Sequence, residues 1–292
     1  MQSSNIWNLV IVFFLMLVNW SIEAFKWKIA IQGIQPISFL KSFRAVLSGV
    51  SFSVTTPNRM GEYFGRVLYM KEGNRLRAVS LTIVCSMSQL IITLSVGLAG
   101  LFWIRQRIET KIIAESDSSL WMQVLQSSWL QYGIFAGLLV LTLLYFRLSI
   151  LTGLVGKLSK SNRYSYLVNA LKNVHATLLL KLLSLSAVRY LVFAIQYFLL
   201  FRLFDVQIGW WHSFWAVSVV FLVLAIIPTF AIAELGLRGQ VSLKLLELFS
   251  ANGLGIGITT ATIWFINLVV PAIAGSLLIV SIKIFKNKNE GN

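Results

Sequence analysis

Two stretches far apart in the chain repeat one order of residue types: Pro57 to Arg66 (PNRMGEYFGR) and Pro228 to Arg238 (PTFAIAELGLR). Each opens on a proline, brings a glycine and a glutamate together, and closes on an arginine four residues after the glutamate. The pairs are Glu62 with Arg66 and Glu234 with Arg238. On a helix that spacing places a carboxylate beside a guanidinium one turn later. Arginine offers a rigid fork of donors that matches phosphate and carboxylate oxygens. Arg59 and Arg189 are cations left over once each glutamate is matched with its own arginine, and Arg189 lies deep inside an apolar run, LLSLSAVRYLVFAIQYF. The chemistry these residues suit is neutralising an anionic, phosphate-bearing group. Glu62 and Glu234 would orient the arginines or receive an amine. Pro57 and Pro228 act as hinges, and Gly61, Gly65 and Gly236 permit close backbone approach.

The elements that position these residues are built for lipid. Hydrophobic residues make up 57% of the chain and charged ones 12%, against about 25% charged in an average soluble domain. Apolar runs of about 20 residues, the length of a helical crossing, extend over Ile6 to Phe25, Ala78 to Phe102, Trp129 to Leu148, Leu178 to Phe204 and Leu254 to Phe285. The run at Ile6 has no basic residue before it and no cleavage pattern after it, so it reads as a retained span rather than a leader. Two further apolar segments are interrupted, residues 37–70 at Thr55, Thr56 and Pro57, and residues 213–249 at Pro228. The pieces on either side of each break are mostly short for a full crossing. The expectation is an all-α integral membrane protein, a helical bundle of about five full spans and two oppositely oriented re-entrant helical hairpins, forming a single transmembrane domain over residues 1–292.

Charge fixes the orientation. The net charge of +15 needs no nucleic-acid partner, because basic residues confined to loops between spans follow the positive-inside rule. With both interrupted segments re-entrant, one face collects eighteen Lys and Arg against Glu23, Glu62, Glu72 and Glu290, and the other collects six charges of each sign. The basic face is cytoplasmic, which puts the C-terminus inside and has the hairpins enter from opposite faces of the cell membrane. Residues 149–177 form a cytoplasmic surface segment in which Ser159 to Lys172 is a basic surface helix or a plain loop. Tryptophans near the span ends read as an interfacial belt. Gly133 with Gly137 and Gly253 with Gly257 read as internal helix packing.

Little else carries chemistry. Cys85 is the single cysteine and reads as a buried small side chain. His175 and His212 are separated by a whole span, so neither a metal site nor a cofactor site is expected. Asn267 and Pro271 mark a kink in the last span.

The runs NWSIEAFKWK (Asn19 to Lys28) and SVTTPNRMGEYFGRVLYMK (Ser53 to Lys71), with the block Pro228 to Arg238, resemble the transmembrane domain of the lysylphosphatidylglycerol synthase and flippase family over residues 5 to 285. The resemblance implies movement of lipids across the bilayer, with aminoacyl transfer in a separate C-terminal soluble domain. Synthase activity is therefore not expected of this chain. The expected partners are membrane lipids, an anionic phospholipid or lipid-linked headgroup, handled by Arg59, Glu62, Arg66, Arg189, Glu234 and Arg238. Two other classes stand beside this one. An enzyme acting on a lipid headgroup or polyprenyl-phosphate carrier would use Glu62 or Glu234 as a general base, and a scaffold for such an enzyme would tolerate substitution of the buried charges.

Overall fold

The computed structural model describes residues 3–114, 124, 127–147 and 174–290. All regular structure among them is helical. Five helices are long and apolar enough to cross a membrane, as the apolar runs predict. In chain order the helices begin with α1 (Ser3–Ile31), the first interrupted pair α2 (Phe39–Ser53) and α3 (Gly61–Val67), then α4 (Arg75–Ala114), α5 (Ser128–Phe146) and α6 (Ala176–Leu203); the five crossings lie in α1, α4, α5, α6 and the last stretch, Gly253–Val280. The second interrupted pair, α7 (Trp210–Ile226) and α8 (Ala231–Leu246), is followed by α9 (Gly253–Trp264) and α10 (Val270–Glu290), joined through a π-helical turn at Phe265–Val269. The proposed surface helix at Ser159 to Lys172 lies outside the described residues.

Both breaks fall where the sequence places them, for local reasons. Ile227, before Pro228, has φ −89° and ψ 112°, the extended conformation that proline imposes on the residue preceding it. At the first break Pro57 opens a single 3-10 turn, Pro57–Arg59. The Thr55 and Thr56 hydroxyls donate back to Phe52 O, at 3.2 and 3.3 Å, while Thr56 Oγ1 accepts the Gly61 N–H at 2.7 Å. Arg59 takes φ 57°, a left-handed backbone that an arginine adopts only at a local cost.

The chain doubles back at each break. A methyl group on Gly61 would lie 2.1 Å from Phe52 O, and one on Gly65 would lie 2.4 Å from Gly49 Cα. The backbones of α2 and α3 therefore touch, and only glycine fits there. Gly236 differs: a methyl group on it would meet nothing within 4 Å. In the second pair, His212 near the start of α7 and Phe249 just beyond α8 bring their rings to 5.2 Å, which sets the two helices side by side.

Close helix contacts then tie the pairs to the spans. Gly97 on α4 faces Leu222 on α7, where an added methyl would come within 2.6 Å of Leu222 Cβ, and Gly275 on α10 faces Leu47 O on α2 at 2.0 Å. Small residues matter here because lipid supplies no hydrophobic drive between helices and close packing must hold them. Gly133 and Gly137 do not serve in this way, since added methyl groups on them would meet no described atom within 4 Å. Cys85 is buried as expected. The boundary of the first span is a correction. Helix α1 runs on past Phe25 to Ile31, so Glu23 and Lys26, both counted with the cytoplasmic face in the charge tally, sit inside the bundle at 4% and 1% exposure.

Candidate functional site

Glu23 is the hub of one charged cluster. Its Oε1 accepts from Arg66 Nη2 at 2.9 Å, and its Oε2 lies 2.9 Å from Lys26 Nζ and 2.7 Å from Arg189 Nη1. One turn earlier on α1, Asn19 Oδ1 accepts from Arg189 Nε at 2.7 Å. Arg66 Nη2 also donates to Glu62 Oε2 at 3.0 Å, the pairing that the four-residue spacing predicts. Lys26 Nζ further donates to Ser186 Oγ at 3.2 Å and to Cys85 O at 3.3 Å. A charge this far from water persists only when paired and hydrogen-bonded, and here one carboxylate serves three cations.

A second cluster surrounds Glu234. Arg59 Nη2 donates to both of its oxygens at 3.2 Å, and Arg238 Nη2 donates to Oε1. Arg238 Nη1 reaches Tyr197 OH on α6 at 3.1 Å. Arg59 comes from the break between α2 and α3, while Glu234 lies in the first turn of α8, just past the second break. This contact joins the two interrupted segments, 175 residues apart in sequence.

Between the clusters lies a cavity of about 250 Å³ lined by Arg59, Arg189, Glu234 and Arg238, together with Trp20, Gln89 and Asn267. Aromatic faces support the cations: the Arg189 guanidinium sits 5.0 Å from the Trp20 ring centre and 5.8 Å from that of Phe193, and Arg238 sits 6.0 Å from that of Phe221. Such contacts hold a guanidinium in place without neutralising it.

Of the six expected site residues, Arg59, Arg189, Glu234 and Arg238 line this cavity and Glu62 and Arg66 stand behind it. Arg66 is 1% exposed and is bound to Glu23 and Glu62 rather than facing the cavity wall. Sequence reasoning missed Glu23, Lys26, Asn19 and Tyr197. The signal for the first three was present, because Asn19, Glu23 and Lys26 recur at helical spacing within the run NWSIEAFKWK. Arg59 and Arg189, which lack a matched glutamate nearby in sequence, find distant ones. Even so, the five cations Lys26, Arg59, Arg66, Arg189 and Arg238 exceed the three carboxylates Glu23, Glu62 and Glu234 by two positive charges. Among the described residues no group of His, Cys, Asp or Glu could hold a metal ion. Gln196 is fully buried and donates to Val12 O at 2.9 Å, which ties α6 to α1 rather than serving the cavity.

Comparison with known proteins agrees with the motif resemblance. No curated protein and no solved structure matches the chain. The family described as the lysylphosphatidylglycerol synthase TM region matches residues 1–275 of the 292. An all-helical membrane protein whose two interrupted segments meet at a buried arginine cavity, this chain belongs to the lysylphosphatidylglycerol synthase TM region family.

Proposed function

We propose that the protein translocates an anionic lipid across the cytoplasmic membrane, passing the headgroup through the arginine-lined cavity while the tails stay in hydrocarbon. The observation that carries this reading is the meeting of the two breaks: Arg59 of the first binds Glu234 beside the second, at the edge of a cavity that Arg189 and Arg238 also line. A guanidinium at the bilayer centre costs about 2.5 to 3.5 kcal/mol on insertion scales. Two cations beyond what the carboxylates neutralise are therefore an expensive feature for structure alone, and a suitable one for receiving phosphate.

In this proposal the two interrupted pairs are re-entrant, entering from opposite faces of a single transmembrane domain whose C-terminus is cytoplasmic. Their lengths support it. At 1.5 Å per residue, α2, α3, α7 and α8, of 15, 7, 17 and 16 residues, reach about 22, 10, 25 and 24 Å, all short of a roughly 30 Å hydrocarbon core. Irregular backbone at such depth is tolerated where it lines a polar cavity. Glu234 is poorly placed for the enzymatic alternative, since both of its oxygens are engaged by arginine.

Reconstitution tests the proposal. Purified protein in vesicles carrying a fluorescent anionic phospholipid should make the inner-leaflet probe accessible to an external quencher, and Arg189→Ala combined with Arg238→Ala should abolish the effect. Unaltered movement in that variant, with its folding verified, removes the arginine cavity from the transport path.

A further inference from the structure

A groove of about 400 Å³ on the outside of the bundle shares no lining residue with the arginine cavity. Its walls include Phe14, Val18, Ser21 and Phe25 of α1, Phe39 at the start of α2 and Leu185 of α6, and Ser21 is the one polar side chain among its described lining residues. The α1 residues recur at intervals of four, three and four, which keeps them on one stripe of the helix. Lys28 is the next position of that stripe, one turn beyond Phe25. Lys181 stands four residues before Leu185, on the same face of α6. The two helices run antiparallel in a register set by Val12 O with Gln196, Asn19 with Arg189, and Lys26 with Ser186. Continued past Lys26, that register brings Lys28 and Lys181 to the same level, within about one turn. Phe39 lies at this end too, since Ser42, three residues later on α2, donates to Ala24 O at 2.6 Å. Lys181 is exposed and Lys28 half-buried, and neither forms an ion pair among the described residues.

Length and charge identify the occupant. From Phe14 to Phe25 α1 rises about 16 Å at 1.5 Å per residue, half of a roughly 30 Å hydrocarbon core. That is the depth of one leaflet's tails. Two cations without a counter-ion at one end of an apolar slot complement an anionic headgroup joined to a hydrocarbon chain. A second copy of the protein fits less well, because a two-fold axis along the membrane normal would bring its own Lys28 and Lys181 to the same level, like charge against like. We propose that the groove holds an acyl chain of an anionic phospholipid from the leaflet at its basic end, with the phosphate on Lys28 and Lys181. This is a resident lipid that bridges α1 and α6, the helices that carry Glu23 and Arg189, and it takes no part in passage through the arginine cavity.

Photolabelling in vesicles tests it. Analogues of phosphatidic acid and phosphatidylcholine with the same diazirine-bearing acyl chain are added separately to the full chain in phosphatidylcholine vesicles at low salt, and the labelled residues are located by peptide mass spectrometry. The phosphatidic acid analogue should label Phe14 to Phe25 roughly twentyfold more than the other, about fivefold for each lysine near the surface, and the excess should shrink at high salt. Lys28→Gln combined with Lys181→Gln should remove the excess and leave phosphatidylcholine labelling of the remaining helices unchanged, which verifies the fold. Lys41→Gln combined with Arg44→Gln, at exposed cations on another face of α2, should leave the excess intact. Equal labelling of the groove by the two lipids, or an excess that survives in the Lys28, Lys181 variant, overturns the proposal. Absence of groove labelling overturns it too, and disulfide-linked dimers of Phe14→Cys in a Cys85→Ser background would then assign the groove to a second copy of the chain. These outcomes leave the arginine cavity untouched, because its own test is transport.

Discussion

Glu23→Gln is the substitution whose consequence the structure fixes most closely. The change keeps the shape and one acceptor, and it removes the carboxylate shared by Lys26, Arg66 and Arg189, at 2.9, 2.9 and 2.7 Å. Of the three, Glu62 forms a salt bridge with Arg66. Removing one partner of a buried ion pair costs about 3–5 kcal/mol, a large share of a net stability of roughly 5–15 kcal/mol. At the few degrees per kcal/mol of chains longer than 150 residues, the thermal midpoint should fall by on the order of 10 °C. Intrinsic fluorescence of the detergent-solubilised protein can follow this, since Trp20 and Trp27 are buried at 2% and 0% exposure on the same helix. Lys26→Met in the same chain removes one stranded cation and should recover part of the loss. Glu62→Gln, whose side chain is 18% exposed, should cost only about 1 kcal/mol, the net worth of one hydrogen bond to a partly solvated group. If Glu23→Gln melts within about 2 °C of the natural chain, roughly 1 kcal/mol by the same scaling, or if it matches Glu62→Gln, the shared-carboxylate reasoning is wrong.

Gly65→Ala should destabilise by several kcal/mol, on the order of other severe overpacking changes, because its methyl would come to 2.4 Å from Gly49 Cα; Gly236→Ala, with nothing within 4 Å, should stay within about 0.5 kcal/mol. Thermal melts of the two side by side would decide, and equal midpoints would contradict the backbone contact. Thr56→Val removes the acceptor of the Gly61 N–H and should cost about 1 kcal/mol, measurable in the same assay. In a Cys85→Ser background, cysteines placed at Ile37 and Lys71 should react with a membrane-impermeant maleimide from one face, and those at Ile208 and Ser250 from the other. Labelling of Ile37 and Lys71 from opposite faces would show that the first pair crosses the membrane.

Local chemistry was legible in the sequence because its causes are local. Pro57 and Pro228 break helices by lacking an N–H and constraining the residue before them, so both breaks could be placed without coordinates. The Glu62–Arg66 and Glu234–Arg238 contacts followed from helical spacing alone. Lys26 shows where this reasoning fails. Counting charges near a span end assigns it to a loop, yet Glu23 one turn earlier neutralises it within the bundle, and composition cannot tell a solvated cation from a paired one. Gly65 and Gly236 read alike in sequence and differ in the structure, because a glycine's value depends on what stands opposite.

From the sequence by itself came the apolar spans, the two breaks and the ionised groups beside them, since length, hydropathy and backbone donors are properties of neighbouring residues. Tertiary structure alone decided which charge answers which. Glu23 meets Arg66 and Arg189 across 43 and 166 residues, and Arg59 meets Glu234 across 175. Those partners are chosen by how helices pack, through contacts such as Gly275 against Leu47 O and Gly97 against Leu222, and a buried ion must take whichever counter-ion that packing brings within reach.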